Sequence, residues 1–228
     1  MTNIKESLAF LKTTLPDYVH LVAVSKFHPV EAVQEAYDCG QRIFGENRPQ
    51  EMSMKHPLLP QDIKWHMIGH LQTNKVKQIV PYVSMIESVD SLKLLTEINK
   101  QAEKIDRQIR VLLELHVAKE ETKTGFSPEE CRQLIGDGVL ESMKHVKVCG
   151  LMCMATNTDD ETRVHSDFAE ANNFFSEIKD QYFAHDESFC YRSWGMTHDY
   201  KIAIEEGANI VRIGTLIFGE RNNGGNGQ

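Results

Sequence analysis

Short apolar runs rich in β-branched residues recur along this sequence, and an amphipathic stretch follows most of them. The runs fall at 20–26, 43–47, 64–69, 85–89, 110–117, 146–154, 189–194 and 209–215. The first, His20-Leu-Val-Ala-Val-Ser-Lys26, lacks polar–apolar alternation and reads as a strand buried on both faces. Helical signals lie between the runs. Val30, Val33 and Tyr37 make a stripe that stops at Gly40, a good C-cap. Thr73 opens a short helix that ends near Pro81. Leu92, Leu95, Ile98 and Ala102 share one face of the next. Ser127-Pro128-Glu129-Glu130 sets a Ser cap, a first-turn proline and an N3 glutamate in order. Val164, Phe168, Ala171, Phe175 and Ile178 line another helix, and a short one ends at Gly207. Ile4, Leu8 and Leu11 predict a leading helix over 4–14.

Strands that alternate with helices demand a parallel sheet, because each crossover returns the chain in the same direction. About eight such units closing on themselves make an α/β fold of the (β/α)8 TIM type, typically ~250 residues, here with an extra N-terminal helix. A doubly wound open sheet is the alternative. The chain has 228 residues and no linker, so residues 1–221 are expected to form a single domain, with the polar, glycine-rich tail 222–228 disordered.

Composition removes several function classes. With 25 basic and 33 acidic residues the chain is acidic, a poor match to sequence-independent nucleic-acid binding. No apolar run approaches the ~20 residues of a membrane span. The start lacks the basic and apolar regions of a signal peptide. The five cysteines are odd in number and form no Cys-x-x-Cys pair. Cys149 and Cys153 would lie roughly 13 Å apart along one strand, too far for a disulfide. All five read as free thiols, mostly in the core, in a cytoplasmic protein.

Four places carry candidate chemistry. Lys26 follows an apolar strand, so it falls at the strand's C-terminal end, the barrel mouth where active sites are built. A partly desolvated lysine favours the neutral amine, which forms Schiff bases with aldehydes; the plainer alternative is a solvent-facing lysine. In 209–215 Arg212 interrupts an apolar strand and demands a buried partner. Gly214 and Thr215 follow it, where barrels commonly bind phosphate. Ser193, the amides of Gly195 and Met196, and Thr197 offer a second half of an anion cradle, with Asp199 in the next first turn. Glu46 and Asn47 end the second strand and are expected to face the same mouth as Lys26. His66 and His70 are four apart but read as satisfied polar histidines, so no metal is expected.

Several of these segments resemble a known family. Val22-Ala-Val-Ser-Lys26, Phe44-Gly-Glu-Asn47, Trp65-His66 with Ile68-Gly69, Leu71-Gln72, Asn74-Lys75, Gly150-Leu-Met152, Ser193 with Gly195-Met196, and Val211-Arg-Ile-Gly-Thr215 with Ile217-Phe-Gly219 and Arg221 are similar to the pyridoxal phosphate homeostasis proteins, the YggS/PROSC family. The resemblance implies a barrel like the N-terminal domain of alanine racemase. It implies pyridoxal 5'-phosphate (PLP) held as a Schiff base on Lys26, with Arg212 by the pyridine nitrogen and Asn47 beside the cofactor. Ser193, Gly195, Met196, Gly214 and Thr215 would hold the phosphate. The sequence departs from the family at Trp194, where Met is frequent, and at Thr197, where Ser is frequent.

The implied role is non-catalytic, in intracellular PLP (vitamin B6) homeostasis, with apo PLP-dependent enzymes as recipients; a monomer is the expected state, with a dimer as the alternative. A cationic Arg212 would disfavour protonation of the ring and weaken it as an electron sink. Racemization also needs a second acid/base on the opposite face of the substrate carbon. In the racemases resembled, a tyrosine from a separate domain supplies it, and the barrel is expected to use nearly all of this chain. Two alternatives stand beside this reading. One is a small PLP-dependent enzyme acting on amino acids. The other is a Schiff-base aldolase that uses Lys26 without a cofactor.

Overall fold

The computed structural model describes residues 3–117 and 124–220; Arg221 and the tail lie outside them. Eight strands close into a barrel in chain order, and every neighbouring pair is parallel. They are β1 (His20–Val24), β2 (Ile43–Glu46), β3 (Lys64–Met67), β4 (Met85–Val89), β5 (Ile109–Leu115), β6 (Val146–Cys153), β7 (Tyr191–Met196) and β8 (Ile210–Ile213). Helices surround it: α1 (Ile4–Thr14), α2 (Val30–Asp38), α3 (Pro49–Lys55), α4 (Val76–Ile79), α5 (Leu92–Glu103), α6 (Pro128–Gly136), α7 (Glu161–Tyr182), α8 (Tyr200–Glu205) and α9 (Thr215–Phe218). The leading helix, the parallel sheet and the TIM-type closure match the sequence expectation; the open sheet does not occur.

Local chemistry explains the helix ends. Ser127 and Glu130 form a reciprocal capping box at α6, with Pro128 in the first turn. Asp160 accepts from the amides of Thr162 and Arg163 at the start of α7. Two differences from the sequence reading matter. Pairing of the seventh strand begins at Tyr191, opposite Gly150, and runs to Met196 rather than 189–194. The segment 49–55, to which the sequence reading assigned no element, is the helix α3.

The strand period of two divides the side chains between two apolar layers. Ala23, Phe44, Trp65, Ile86, Val111, Leu113, Leu151, Val211 and Ile213 pack outward against the helices in the main core. Val22, Met85, Leu112, Cys149, Met152 and Ile210 form a second, smaller cluster that fills the barrel itself. Above that plug, toward the strands' C-terminal ends, the interior turns polar. His66, Glu87, Glu114, Ser193 and Arg212 are all buried there.

Candidate cofactor site at the barrel mouth

Arg212 has the partners that its burial requires. It is 4% exposed, and it lies on β8 in the inward register of Ile210. Its Nη1 donates to Ser193 O at 2.6 Å and Ser193 Oγ at 2.7 Å, and its Nη2 to Cys153 O at 2.9 Å. Glu87 Oε2 lies 3.9 Å from Nη1. Glu87 is itself fully buried, accepting from Ser193 Oγ at 2.5 Å and from His66 Nδ1 at 2.5 Å. Burial pushes the Glu87 carboxyl up, but the hydrogen bond and charge of His66, the charge of Arg212 and the Ser193 hydroxyl outweigh it and hold Glu87 below the usual carboxylate range. The result is a continuous chain, His66–Glu87–Ser193–Arg212, which together with Cys153 O holds the guanidinium in place.

Ser193, expected beside the phosphate, sits at the centre of this hydrogen-bonded chain. The side chain is fully buried, and its oxygen is engaged with both Glu87 and Arg212. The hydroxyl beside Gly214 belongs to Thr197, whose Oγ1 accepts from Gly214 N–H at 3.4 Å. Gly195 lies within a break in the β7–β8 register between Ser193 and Met196, and pairing resumes at Met196, just before Thr197. Gly195 has φ +92, and a Cβ there would lie 2.5 Å from Ala203 Cβ, so only glycine fits between this turn and α8. Met196 N–H donates to Asp199 Oδ1 at 2.5 Å. Gly214 and Thr215 open α9 directly after β8. Trp194 points the other way: it is fully buried in the outer core, so the bulk that replaces a frequent Met is absorbed under the helices rather than at the mouth.

Lys26 lies two residues past the end of β1 and is half-buried; strand alternation gives it the inward register of Val22. The residues on either side of it are held from behind. Lys55, on α3 and 1% exposed, donates to Ser25 O at 2.8 Å, Glu46 Oε1 at 2.7 Å and Glu51 Oε1 at 2.7 Å. Ser25 Oγ donates to Glu46 Oε1 at 2.7 Å, and Phe27 N–H to Glu51 Oε1 at 2.6 Å. Glu46 therefore does not face the mouth as expected. It shares the outward register of Phe44 and lies under α3. Burial pushes its carboxyl up to about 7, against the pull of Lys55.

Asn47, the next residue, is half-buried, and its Oδ1 is buried with no hydrogen-bond partner among the described residues. A Cβ at Gly69 would come within 2.6 Å of Asn47 O and 2.8 Å of its Cα, so the turn after β3 packs flat against Asn47. His66 and His70 separate as expected of satisfied histidines, His66 onto Glu87 and His70 onto Asp90 at 2.9 Å. Among the described residues no group of three or more His, Cys, Asp or Glu is placed to hold a metal ion. Lys55, Glu51, Glu87 and the partnership of His66 were not singled out from the sequence. For Glu87 the signal was present, a carboxylate interrupting the apolar run 85–89 as Arg212 interrupts 209–215.

These residues fit a PLP-type cofactor on this structure's own terms. Asn47 offers an unsatisfied buried acceptor, the Gly195–Met196 turn and the Gly214–Thr215 step bring backbone amides to the ends of β7 and β8, and Arg212 is a fixed cation beneath the mouth. Comparison with known proteins agrees. Residues 1–222 match the family described as alanine racemase, N-terminal domain. A pyridoxal phosphate homeostasis protein of Aquifex aeolicus is 42% identical over 202 residues, covering 88% of this chain and 86% of that protein. One from Helicobacter pylori is 39% identical over 204 residues, covering 89% and 88%. The structure of PipY from Synechococcus elongatus with PLP bound superposes with a TM-score of 0.86 at 35% identity, over 95% of this chain and all of that one. A Clostridium difficile alanine racemase shares the fold, with a TM-score of 0.76 at 18% identity over 96% of this chain and 56% of its own. The chain belongs to the alanine racemase N-terminal domain family, among the pyridoxal phosphate homeostasis proteins.

Proposed function

We propose that residues 1–221 form one PLP-binding domain that holds the cofactor on Lys26 and serves PLP homeostasis without turning over a substrate. The observation that carries this is the pairing of a braced Lys26 segment with a rigid Arg212 on the neighbouring strand, Val22 being the register partner of Arg212. PLP, when bound, supplies an aldehyde that condenses with an amine and a ring that withdraws electrons. The chain's own residues do the rest. Lys26 offers the amine. Asn47 offers its free acceptor to a cofactor hydroxyl. The amides of Gly195, Met196, Gly214 and Thr215, with the Thr197 hydroxyl, hold the phosphate; Met196 N–H would exchange Asp199 for it. Ser193 acts one step back, by fixing Arg212.

A non-catalytic role is supported by the curated relatives' name and by Arg212. Its three donated hydrogen bonds and nearby Glu87 keep a cation under the site. A cation facing the ring nitrogen disfavours ring protonation and weakens the ring as an electron sink. The five free cysteines support a reducing, cytoplasmic location. No helix among the described residues is long and apolar enough to cross a membrane. PLP-dependent apoenzymes are the proposed recipients, and the monomer the proposed state.

The test is the absorbance spectrum of purified, PLP-loaded protein before and after borohydride, for the natural chain and Lys26→Ala. The natural chain is expected to absorb in the visible and to carry the reduced cofactor on Lys26. A Lys26→Ala protein with unchanged spectrum and affinity refutes the anchor. Racemized or decarboxylated product from a panel of L-amino acids, above the level free PLP gives, refutes the non-catalytic reading.

A further inference from the structure

Resting on that reading of Lys26, we infer that Glu51, with Lys55 and Glu46, is a positioning device that sets where the Lys26 amine stands. Three tethers bracket the lysine. On one side the Ser25 carbonyl accepts from Lys55 and the Ser25 hydroxyl donates to Glu46. On the other the Phe27 amide donates to Glu51 at 2.6 Å. Lys55 joins the two carboxylates, 2.7 Å from each, so the tethers act as one unit. Phe27 needs such a hold. Its φ is +66, a left-handed conformation that costs a bulky side chain energy, and the residue is 48% exposed. The Arg48 guanidinium, 5.0 Å from the centre of that ring, is a further contact from the start of α3. The backbone on both sides of Lys26 is thus docked on α3, whereas Glu46, Glu51 and Lys55 lie on the outer side of the barrel wall. Glu51 is the member best suited to a test, because it is only partly buried and its loss leaves the Lys55–Glu46 pair intact.

The test compares the natural chain with Glu51→Ala and Glu51→Gln. Glutamine keeps an acceptor for Phe27 N–H and removes the charge; alanine removes both. Two quantities are read. The first is hydrogen exchange of the Phe27 amide in PLP-free protein. The second is the rate at which PLP becomes borohydride-fixed on Lys26. For Glu51→Ala both are expected to move by about tenfold, exchange faster and capture slower, as for loss of one charge-assisted hydrogen bond. Glu51→Gln is expected within about threefold of the natural chain on both. Unchanged capture in Glu51→Ala overturns the inference. Equal loss in Ala and Gln also overturns it, since charge rather than the tether would then be responsible. Where Glu51→Ala does not fold, Glu51→Asp, shorter by one methylene, is compared in its place. A natural chain that never fixes PLP on Lys26 refutes the cofactor reading instead, and the Phe27 exchange arm still decides whether the tether exists.

Discussion

Replacing Arg212 by Met should destabilise the PLP-free protein strongly, and replacing Glu87 as well should cost less than the two single losses summed. The guanidinium donates to two backbone carbonyls and to Ser193 Oγ, and its Nη1 lies 3.9 Å from Glu87 Oε2. Arg212→Met leaves those carbonyls unpaired and Glu87 ionised and buried with less compensation. Breaking a buried pair in this way costs about 3–5 kcal/mol. For a chain of this size each kcal/mol moves Tm by about 2–4 °C, so the fall should be about 6–20 °C. Adding Glu87→Gln removes the stranded charge while keeping an acceptor for Ser193 and a group for His66 to meet. The double variant should regain about 1–3 kcal/mol relative to the sum of the two single changes. Thermal and urea unfolding of all four proteins at neutral pH give the cycle. The same pair predicts an acid limit. Glu87 is held below its ordinary value, so the stability it contributes is present above about pH 4.5, where it is ionised in both states. It is lost as pH falls from there through the folded-state value. A single Arg212→Met variant within about 1 kcal/mol of the natural chain, or a double variant that merely adds the two losses, refutes the coupling.

Gly195→Ala should lower stability by about 2–4 kcal/mol, because it combines a left-handed φ with a Cβ placed 2.5 Å from Ala203 Cβ; a Tm within about 2 °C of the natural chain refutes this. Thiol labelling at pH 8 should be quick only at half-buried Cys39 and Cys190. Burial pushes Cys149 up to about 11 and Cys131 to about 12, and raises Cys153 as well, so those three should react only on unfolding, and mass spectrometry of native protein showing early label on any of them overturns that.

The strands were legible because a doubly buried parallel strand leaves a continuous apolar run, and eight of them in regular alternation with helices leave few architectures. Strand ends were less legible. Phe189 is apolar and fully buried, yet pairing with β6 begins two residues later at Tyr191. Helix α3 escaped notice because its inward side is short, with Pro49, Met52 and Lys55 buried, and one of the three is a lysine. Its trace was Pro49 in the first turn with Glu51 just after. Lys26 and Arg212 could be named because each is a charge set against an apolar strand. Their partners could not, because which strand positions face one another depends on register around the closed barrel. Ser193 shows the limit most directly. Its place next to a glycine turn suggests phosphate, but its bonds to Glu87 and Arg212 follow from the register around the closed barrel, which the local sequence does not carry.

Strand alternation also explains why the site is braced by two separate networks. Ser25 and Glu46 fall in the outward registers of Ala23 and Phe44, and therefore meet Lys55 under α3. Glu87, Ser193 and Arg212 fall in the inward registers of Met85, Tyr191 and Ile210, and therefore meet one another above the apolar plug. Neither hydrogen-bonded set includes a residue of the other. One set fixes the backbone that carries the amine, and the other fixes the cation beneath the mouth. Changes in the two sets should consequently add in free energy, whereas changes within either should not. Lys26, two residues past the end of β1, follows the boundary between the two layers. Its neighbours in sequence are fixed from outside the wall, while its side chain has the inward register, so its position can be held without placing a tether in the space a cofactor needs.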